Sequence, residues 1–380
     1  MPRRSWMRWI AAPLGALLFL AAALFLIGRI QYRLNVMDVE RYDPVSSLKV
    51  PQHPLTRARF PFVDVHNHQF LMPVQDLDRL VAEMDELNLA VMVNLSGFRG
   101  KLLEWSLANV NKSQANRFLV FLNLDFERLD APDWPAIPLA QIDEAVKLGA
   151  RGLKVYKSLG LTDRDKSGKR IAVDDARLDP IWSRCGQLGL PVLIHSAEPA
   201  PFFEPRDEHN ERWLELKQEP SRFRPPESYP PFETILAEQH HLFRKHPETQ
   251  FIDAHLGWLG NDLSRLGKLF DELPNVSTEI GAVLAELGRQ PRFARAWMIR
   301  YQDRVLFGKD TYKKEEYYTY FRVLETADEY FDYYRKRHAH WKMYGLALPD
   351  AVLRKVYYEN ALKLFPAIDR GLFPSPAVSP

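Results

Sequence analysis

The chain has 380 residues, 46% of them hydrophobic and 26% charged, with a net charge of +2, which is ordinary for a globular enzyme and enough to bury a sizeable core in one large α/β domain or two smaller ones. Its single cysteine, Cys185, excludes an intrachain disulfide and, set between Ile181 and Leu188 in a helical pattern, reads as a packing residue. Residues 1–35 hold five arginines and no acid, so the remainder carries 46 basic residues against 49 acidic ones, and a slightly acidic body offers no footprint for nucleic-acid phosphates.

Arg3, Arg4 and Arg8 precede an almost unbroken apolar run from Trp9 to Ile27, closed by Gly28-Arg29. Such a run is about what a helix needs to cross the hydrocarbon layer. No small-x-small site lies directly behind Leu24-Phe25-Leu26-Ile27, so residues 1–35 read as an uncleaved membrane anchor in preference to a cleaved signal that would leave a secreted protein. Three arginines before the span against Arg29 and Arg33 after it place the N-terminus in the cytoplasm and the body on the periplasmic or extracytoplasmic side. Residues 36–59, with Pro44, Pro51 and Pro54, read as a linker.

From Phe60 onward short β-rich runs recur at 62–66, 91–95, 118–124, 152–156, 191–195, 250–255, 276–280 and 305–307. Helical stripes lie between them: Leu77, Leu80, Val81, Met84 and Leu87 form the first, Ile142, Ala145, Val146 and Leu148 precede the fourth strand, and Leu263, Leu266, Leu269 and Phe270 precede the seventh. Gly149, Gly189, Pro247 and Pro274 punctuate the helix ends. Eight strand-helix alternations predict a closed (β/α)8 TIM barrel over residues 60–366, with 367–380 as a C-terminal tail. An open doubly wound sheet is the alternative, but no glycine-rich phosphate turn follows the first strand. The long segment 199–232, rich in proline and aromatic residues, reads as a lid or pocket wall, and Tyr312 to Tyr344 reads as helical. A helix from Ala351 to Phe365 closes the fold.

The first predicted strand, Phe62-Val63-Asp64-Val65-His66-Asn67-His68, puts His66 and His68 side by side at its end, because residues i and i+2 share a strand face. Asp64 shares that face and is better placed to orient a ligand than to be one. His195 and His255 end the fifth and sixth strands, Lys154 lies in the fourth and Asp310 follows the eighth. Barrel enzymes place their chemistry at that end. Burying each of these groups unpaired costs on the order of 1–3 kcal/mol, and a shared metal ion removes that cost. Glu279, ending the seventh strand, reads as a substrate contact or a rim carboxylate. His209 and Trp213, four apart on a possible loop helix, read as a surface pair in preference to a pocket lining, and His240, His241, His338 and His340 as solvated.

Together Asp64-x-His66-x-His68, Lys154, His195, His255 and Asp310 resemble the metal-dependent amidohydrolase superfamily, in particular the amidohydrolase-related (amidohydrolase family 2) branch, which includes non-oxidative decarboxylases. The resemblance implies one or two divalent metal ions, usually Zn2+. It implies His66, His68 and His195 as ligands, Asp310 as ligand and general acid/base, and His255 as a second-site ligand or substrate-polarising residue. Lys154 lies where two-metal members carry a carboxylated bridging lysine; Lys157 competes for that role, and a single essential metal is the preferred reading.

The resulting expectation is a metal-dependent hydrolase of a small ester, amide or lactone. The alternative at the same site is decarboxylation of an aromatic or unsaturated acid, for which Arg206, Arg212 or Arg224 of the long segment would supply a cation. A metal-dependent nuclease or phosphoesterase is disfavoured by the acidic body. A reading of another class is a catalytically inactive, membrane-tethered binding protein. The partners expected are a small molecule and the membrane, not nucleic acid, and an oligomer is compatible with all of these readings.

Overall fold

The computed structural model describes residues 6–374, with side chains from residue 16 onward; Arg3, Arg4, the Arg8 side chain and the last six residues lie outside them. The chain divides into two units, Met1–Lys49 and Val50–Pro380. In the first, Trp6–Leu34 is one 29-residue helix. Its stretch Ala16–Leu34, with mean hydropathy 1.6, is long and apolar enough to cross a membrane, and Gly28 does not interrupt it. Leu17, Phe19 and Phe25 are exposed along it.

The second unit begins ten residues before the boundary that the linker prolines suggest. The reason is polar anchoring: Asp328 Oδ2 accepts from the His53 backbone N–H (2.7 Å), Ala58 N–H donates to Leu87 O (3.1 Å), and Arg59 Nη1 donates to Asp350 Oδ1 (2.7 Å). At the other end Ile368 and Phe373 are buried, so the start of the predicted tail packs on the body.

Among the described residues nine strands carry the body. β1 (Phe62–Asn67), β2 (Leu89–Asn94) and β3 (Phe118–Val120) form a three-stranded sheet; β4 (Leu122–Asn123), β5 (Leu153–Val155), β6 (Val192–Ile194), β7 (Phe251–Asp253), β8 (Val276–Glu279) and β9 (Val305–Leu306) form a six-stranded one. Every strand pair is parallel. β3 and β4 are halves of one expected strand, divided at Phe121, where pairing passes from β2 to β5: Phe121 N–H donates to Asn94 O (2.9 Å) and Leu122 N–H to Gly152 O (2.8 Å). Past β9 the backbone returns to β1, through Val65 N–H to Phe307 O (3.0 Å) and Asp310 N–H to His66 O (2.7 Å).

The strands read as continuous apolar runs because both faces are buried, as parallel sheets covered by helices require. The helix Leu77–Leu87 shows how a cover is specified: Asp76 caps its N-terminus by accepting from Arg79 N–H, Asn88 ends it at φ 70°, and Leu77, Leu80, Val81, Met84 and Leu87 are buried. Between β1 and β9 an aromatic cluster fills the interior, with Phe62 4.7 Å from Phe307 and 5.8 Å from Tyr357 between ring centroids. Truncating such a ring costs about 3–5 kcal/mol. Cys185 is fully buried on the helix Asp179–Gln187.

Four places depart from the sequence reading. Helix in the 312–344 stretch is confined to Lys314–Glu325; beyond it Asp328 accepts from Arg322 Nε (2.7 Å) and Phe331 pairs with Met343 as an isolated antiparallel bridge, which folds the chain back on itself. The closing helix begins at Asp350 and contains a π turn at Lys355–Glu359 before Asn360–Leu364. In the long segment the helix Trp213–Gln218 starts after His209, so those two residues do not share a helical face. His240, expected in solvent, is buried on the helix Phe232–Lys245, because its flank turns toward the β7 side, where Gln239 bonds Asp253 at 2.9 Å.

Candidate metal centre

His66, His255 and Asp310 meet at the carboxyl ends of the strands, their ligand atoms all within 4.8 Å of one another. His66 Nε2 is 3.4 Å and His68 Nε2 3.8 Å from Asp310 Oδ1. The His66 and His255 rings stack at 4.7 Å, and His195 meets His255 edge-on at 4.5 Å. Every one of the four histidines from three strand ends is thus within one ring's reach of another. Lys154 is buried in β5.

Three of the four imidazoles are aimed by their second nitrogen. His66 Nδ1 donates to Glu279 Oε1 (2.9 Å), His68 Nδ1 lies 2.7 Å from Ser96 Oγ, and His255 Nδ1 donates to Gly281 O (2.7 Å). These partners turn Nε2 of His66, His68 and His255 inward. Glu279 also accepts from the His255 backbone N–H (2.6 Å) and the Gly281 N–H (2.5 Å). It is fully buried, so the rim reading is corrected: the carboxylate closes β8 facing inward, where three N–H donors compensate its desolvation.

Asp64 differs from expectation too. Its Oδ1 accepts from the backbone N–H groups of His66 and Lys309 (both 3.1 Å), and its Oδ2 from Tyr317 Oη (2.6 Å) and Asn67 Nδ2 (2.9 Å). It braces the strand end without touching an imidazole ring. The pairing register of β1 shifts between Asp64 and Asn67, so simple i, i+2 alternation does not carry its side chain to the ligand layer.

The backbone at the end of β7 is unusual. His255, Leu256 and Gly257 have φ/ψ of 60/40°, 56/28° and 58/24°, and Trp258 follows at φ 56°. A left-handed run of this kind costs roughly 1–2 kcal/mol per non-glycine residue, and such outliers gather at functional sites. It lays the Trp258 ring 4.7 Å from His255 and 5.5 Å from His195.

Electrostatics leave the donors ready for a cation. Burial holds His66 and His195 well below the usual imidazole range, and burial together with the Lys154 charge holds His68 at about 4. All three are neutral near pH 7 and offer a lone pair, the ligating form. Burial opposes ionisation of Asp310, but the facing His66, His255, His68 and Lys154 outweigh it and bring the carboxyl down to about 2. His66 Nε2, His195 Nε2 and Lys154 Nζ are buried without a hydrogen-bond partner among the described residues. Neutral imidazoles beside a carboxylate, with their inward nitrogens unmatched, fit a divalent ion of the Zn, Mn or Fe type.

Parallel sheets with a histidine and aspartate cluster at their carboxyl ends define an α/β protein with a candidate His/His/Asp metal site. The chain belongs to the amidohydrolase family: residues 63–367 match the family described as Amidohydrolase. Among solved structures it is similar to a 2,6-dihydroxybenzoate decarboxylase from Rhizobium, with TM-score 0.53 and 15% identity over 82% of this chain and 100% of that one. It is also similar to a dihydroxybenzoic acid decarboxylase from Polaromonas sp. JS666 with bound manganese and the inhibitor 2-nitroresorcinol, with TM-score 0.52 and 15% identity over 82% and 99%. At these identities the likeness is one of fold. No curated protein matches the chain.

Proposed function

We propose that the protein is a metal-dependent hydrolase of a small ester, amide or lactone, its strands closed into a (β/α)8 barrel and its body tethered to a membrane by the helix Trp6–Leu34, on the extracytoplasmic side. The observation that carries the enzymatic reading is the inward convergence of His66, His255 and Asp310 within 4.8 Å, with His68 and His195 alongside. The backbone bonds from Val65 to Phe307 and from Asp310 to His66 support barrel closure.

His66, His68, His195 and Asp310 would hold the ion, probed first as Zn2+, with His255 facing either a second ion or the substrate carbonyl and Lys154 available to a second ion. A bound divalent ion supplies Lewis-acid charge and lowers the pKa of water at the site. Asp310 is a carboxylate at neutral pH; it accepts a proton from the attacking water and returns it to the leaving group. His255 Nε2, aimed inward because Nδ1 donates to Gly281 O, borders the place of the scissile carbonyl. Trp258, against both His195 and His255, keeps bulk water from that side of the rings.

Decarboxylation remains the second reading, favoured by the dihydroxybenzoate decarboxylases that share the fold. Against it, two of the three cations it would recruit are engaged: Arg212 bonds Glu215 (2.6 Å) and Glu286 (3.3 Å), and Arg224 bonds Glu198 (2.6 Å), while Arg206 is exposed over the Phe223 ring. The test is Asp310→Asn, which keeps an oxygen donor. Metal content should persist while ester turnover falls by about 10²–10⁴-fold; unchanged turnover removes Asp310 from the mechanism. Carbon dioxide release from aromatic acids, without ester turnover by the wild type, replaces hydrolysis by decarboxylation.

A further inference from the structure

A cleft of about 280 Å³ opens beside the metal centre, between the ends of β4 and β5. Lys154 and Tyr156 line its inner end, and Asp125, Glu127 and Asp163 line its wall. Tyr156 ties the cleft to the centre: its Oη lies 3.0 Å from Ser96 Oγ, the group that holds His68, and its ring stacks on the His68 ring at 5.7 Å. The cleft therefore borders the ligand layer across one side chain.

Its charge is lopsided. Arg99 is the basic residue of the wall apart from Lys154, and its Nη2 is already bound to Asp125 Oδ2 at 3.1 Å. Burial raises the Asp163 carboxyl, Ser158 lowers it, and the neighbouring Glu127 and Asp125 charges raise it further, as carboxylates sharing a confined space do. At the inner end the Lys154 amine is buried and has no hydrogen-bond partner among the described residues. An unmatched buried donor of that kind is unfavourable, and it lines the space a ligand would fill.

From this juxtaposition we infer that the cleft receives the non-reacting end of the substrate and selects ends bearing hydrogen-bond donors, an ammonium or hydroxyl groups, over ends bearing a carboxylate. The inference rests on the hydrolase reading for the reacting end and names the substrate class that reading leaves open. Donors on the substrate pair with Glu127, Asp163 and the free lone pairs of Asp125. The acceptor nearer the scissile bond, a carbonyl or ring oxygen, takes the Lys154 N–H. A carboxylate placed in the same cleft meets three like charges on the wall against Lys154 at the inner end and one already committed arginine, a balance that disfavours it.

The experiment measures binding of four small amides of matched size to the full-length, Zn2+-loaded protein by ligand-observed NMR: β-alaninamide, 3-hydroxypropanamide, propanamide and succinamate. β-Alaninamide or 3-hydroxypropanamide should bind about tenfold tighter than propanamide, with succinamate weakest; which of the two leads identifies the ammonium or the hydroxyl as the natural donor. In the Glu127→Gln/Asp163→Asn variant that advantage should shrink to about threefold or less. Succinamate binding as tightly as β-alaninamide, binding by none of the four, or a preference that survives in the variant would overturn the inference. Turnover of the corresponding 4-nitrophenyl esters is read separately: no turnover with the binding order intact removes hydrolysis and leaves the cleft assignment standing.

Discussion

Glu279 Oε1 lies 2.9 Å from His66 Nδ1, although the two residues are 213 positions apart in sequence. The same carboxylate accepts the backbone N–H groups of His255 and Gly281, so one buried group fixes the imidazole of His66 and the backbone of His255. Glu279→Gln should weaken metal affinity about 10–100-fold, the usual cost of losing a ligand's carboxylate partner. Glu279→Ala should add about 1–3 kcal/mol of instability for each N–H left unmatched. Competition with a chelator measures the first effect and urea denaturation the second. Affinity unchanged in Glu279→Gln would make the carboxylate structural only.

Ser96 plays the same part for His68 through a neutral hydroxyl. Ser96→Ala frees Nδ1 and lets the ring turn, and it also removes the Tyr156 Oη partner. Metal affinity should drop about tenfold, at the mild end of such effects, because no charge is lost. The chelator titration used for Glu279 reads this directly, and an unaltered constant would remove His68 from the ligand set.

Much of this centre was legible in the sequence. His66, His68, His195, His255 and Asp310 each terminate an apolar run, and a polar residue in that position is visible without coordinates. Glu279 had the same signal, Val276-Ser277-Thr278-Glu279, but a carboxylate at a strand end reads equally as a rim residue until its donors are known. Those donors are backbone N–H groups of other strand ends, which no spacing rule reveals. Ser96 carried no signal of its own, since a serine after an apolar strand is ordinary turn chemistry. The division of the third strand at Phe121 was hidden because an unbroken apolar run does not disclose where its pairing partner changes.

The histidine at position 240 gives a pH dependence away from the metal centre. Burial, helped by the Arg265 and Arg244 charges, brings His240 from 6.5 down to about 4. Between those values the unfolded chain binds a proton that the folded chain refuses, so stability falls as pH drops through that window. His240→Leu removes the term, and acidification from about pH 7 to about pH 4 should then cost about 3 kcal/mol less than in the wild type. Urea denaturation of both proteins at the two pH values decides the matter; parallel losses would mean that His240 is protonated in the fold.

The left-handed turn at the end of β7 makes a steric prediction. Gly257 has φ 58°, and a Cβ there would lie 2.3 Å from Asp253 Oδ2, a carboxyl that burial raises well above its usual range. Gly257→Ala should destabilise the body by about 2–4 kcal/mol, combining the unfavourable φ with overpacking. Thermal unfolding measures it, and a melting temperature equal to that of the wild type would show that Asp253 can move aside.

That turn, coiled against its preferred hand from His255 to Trp258, behaves as a cocked spring whose catch sits on the neighbouring strand, at the Glu279 carboxylate and the Gly281 carbonyl. Slipping the catch would carry His255 and Trp258 off together, unmaking the wall on that side while the rings on β1 keep their place.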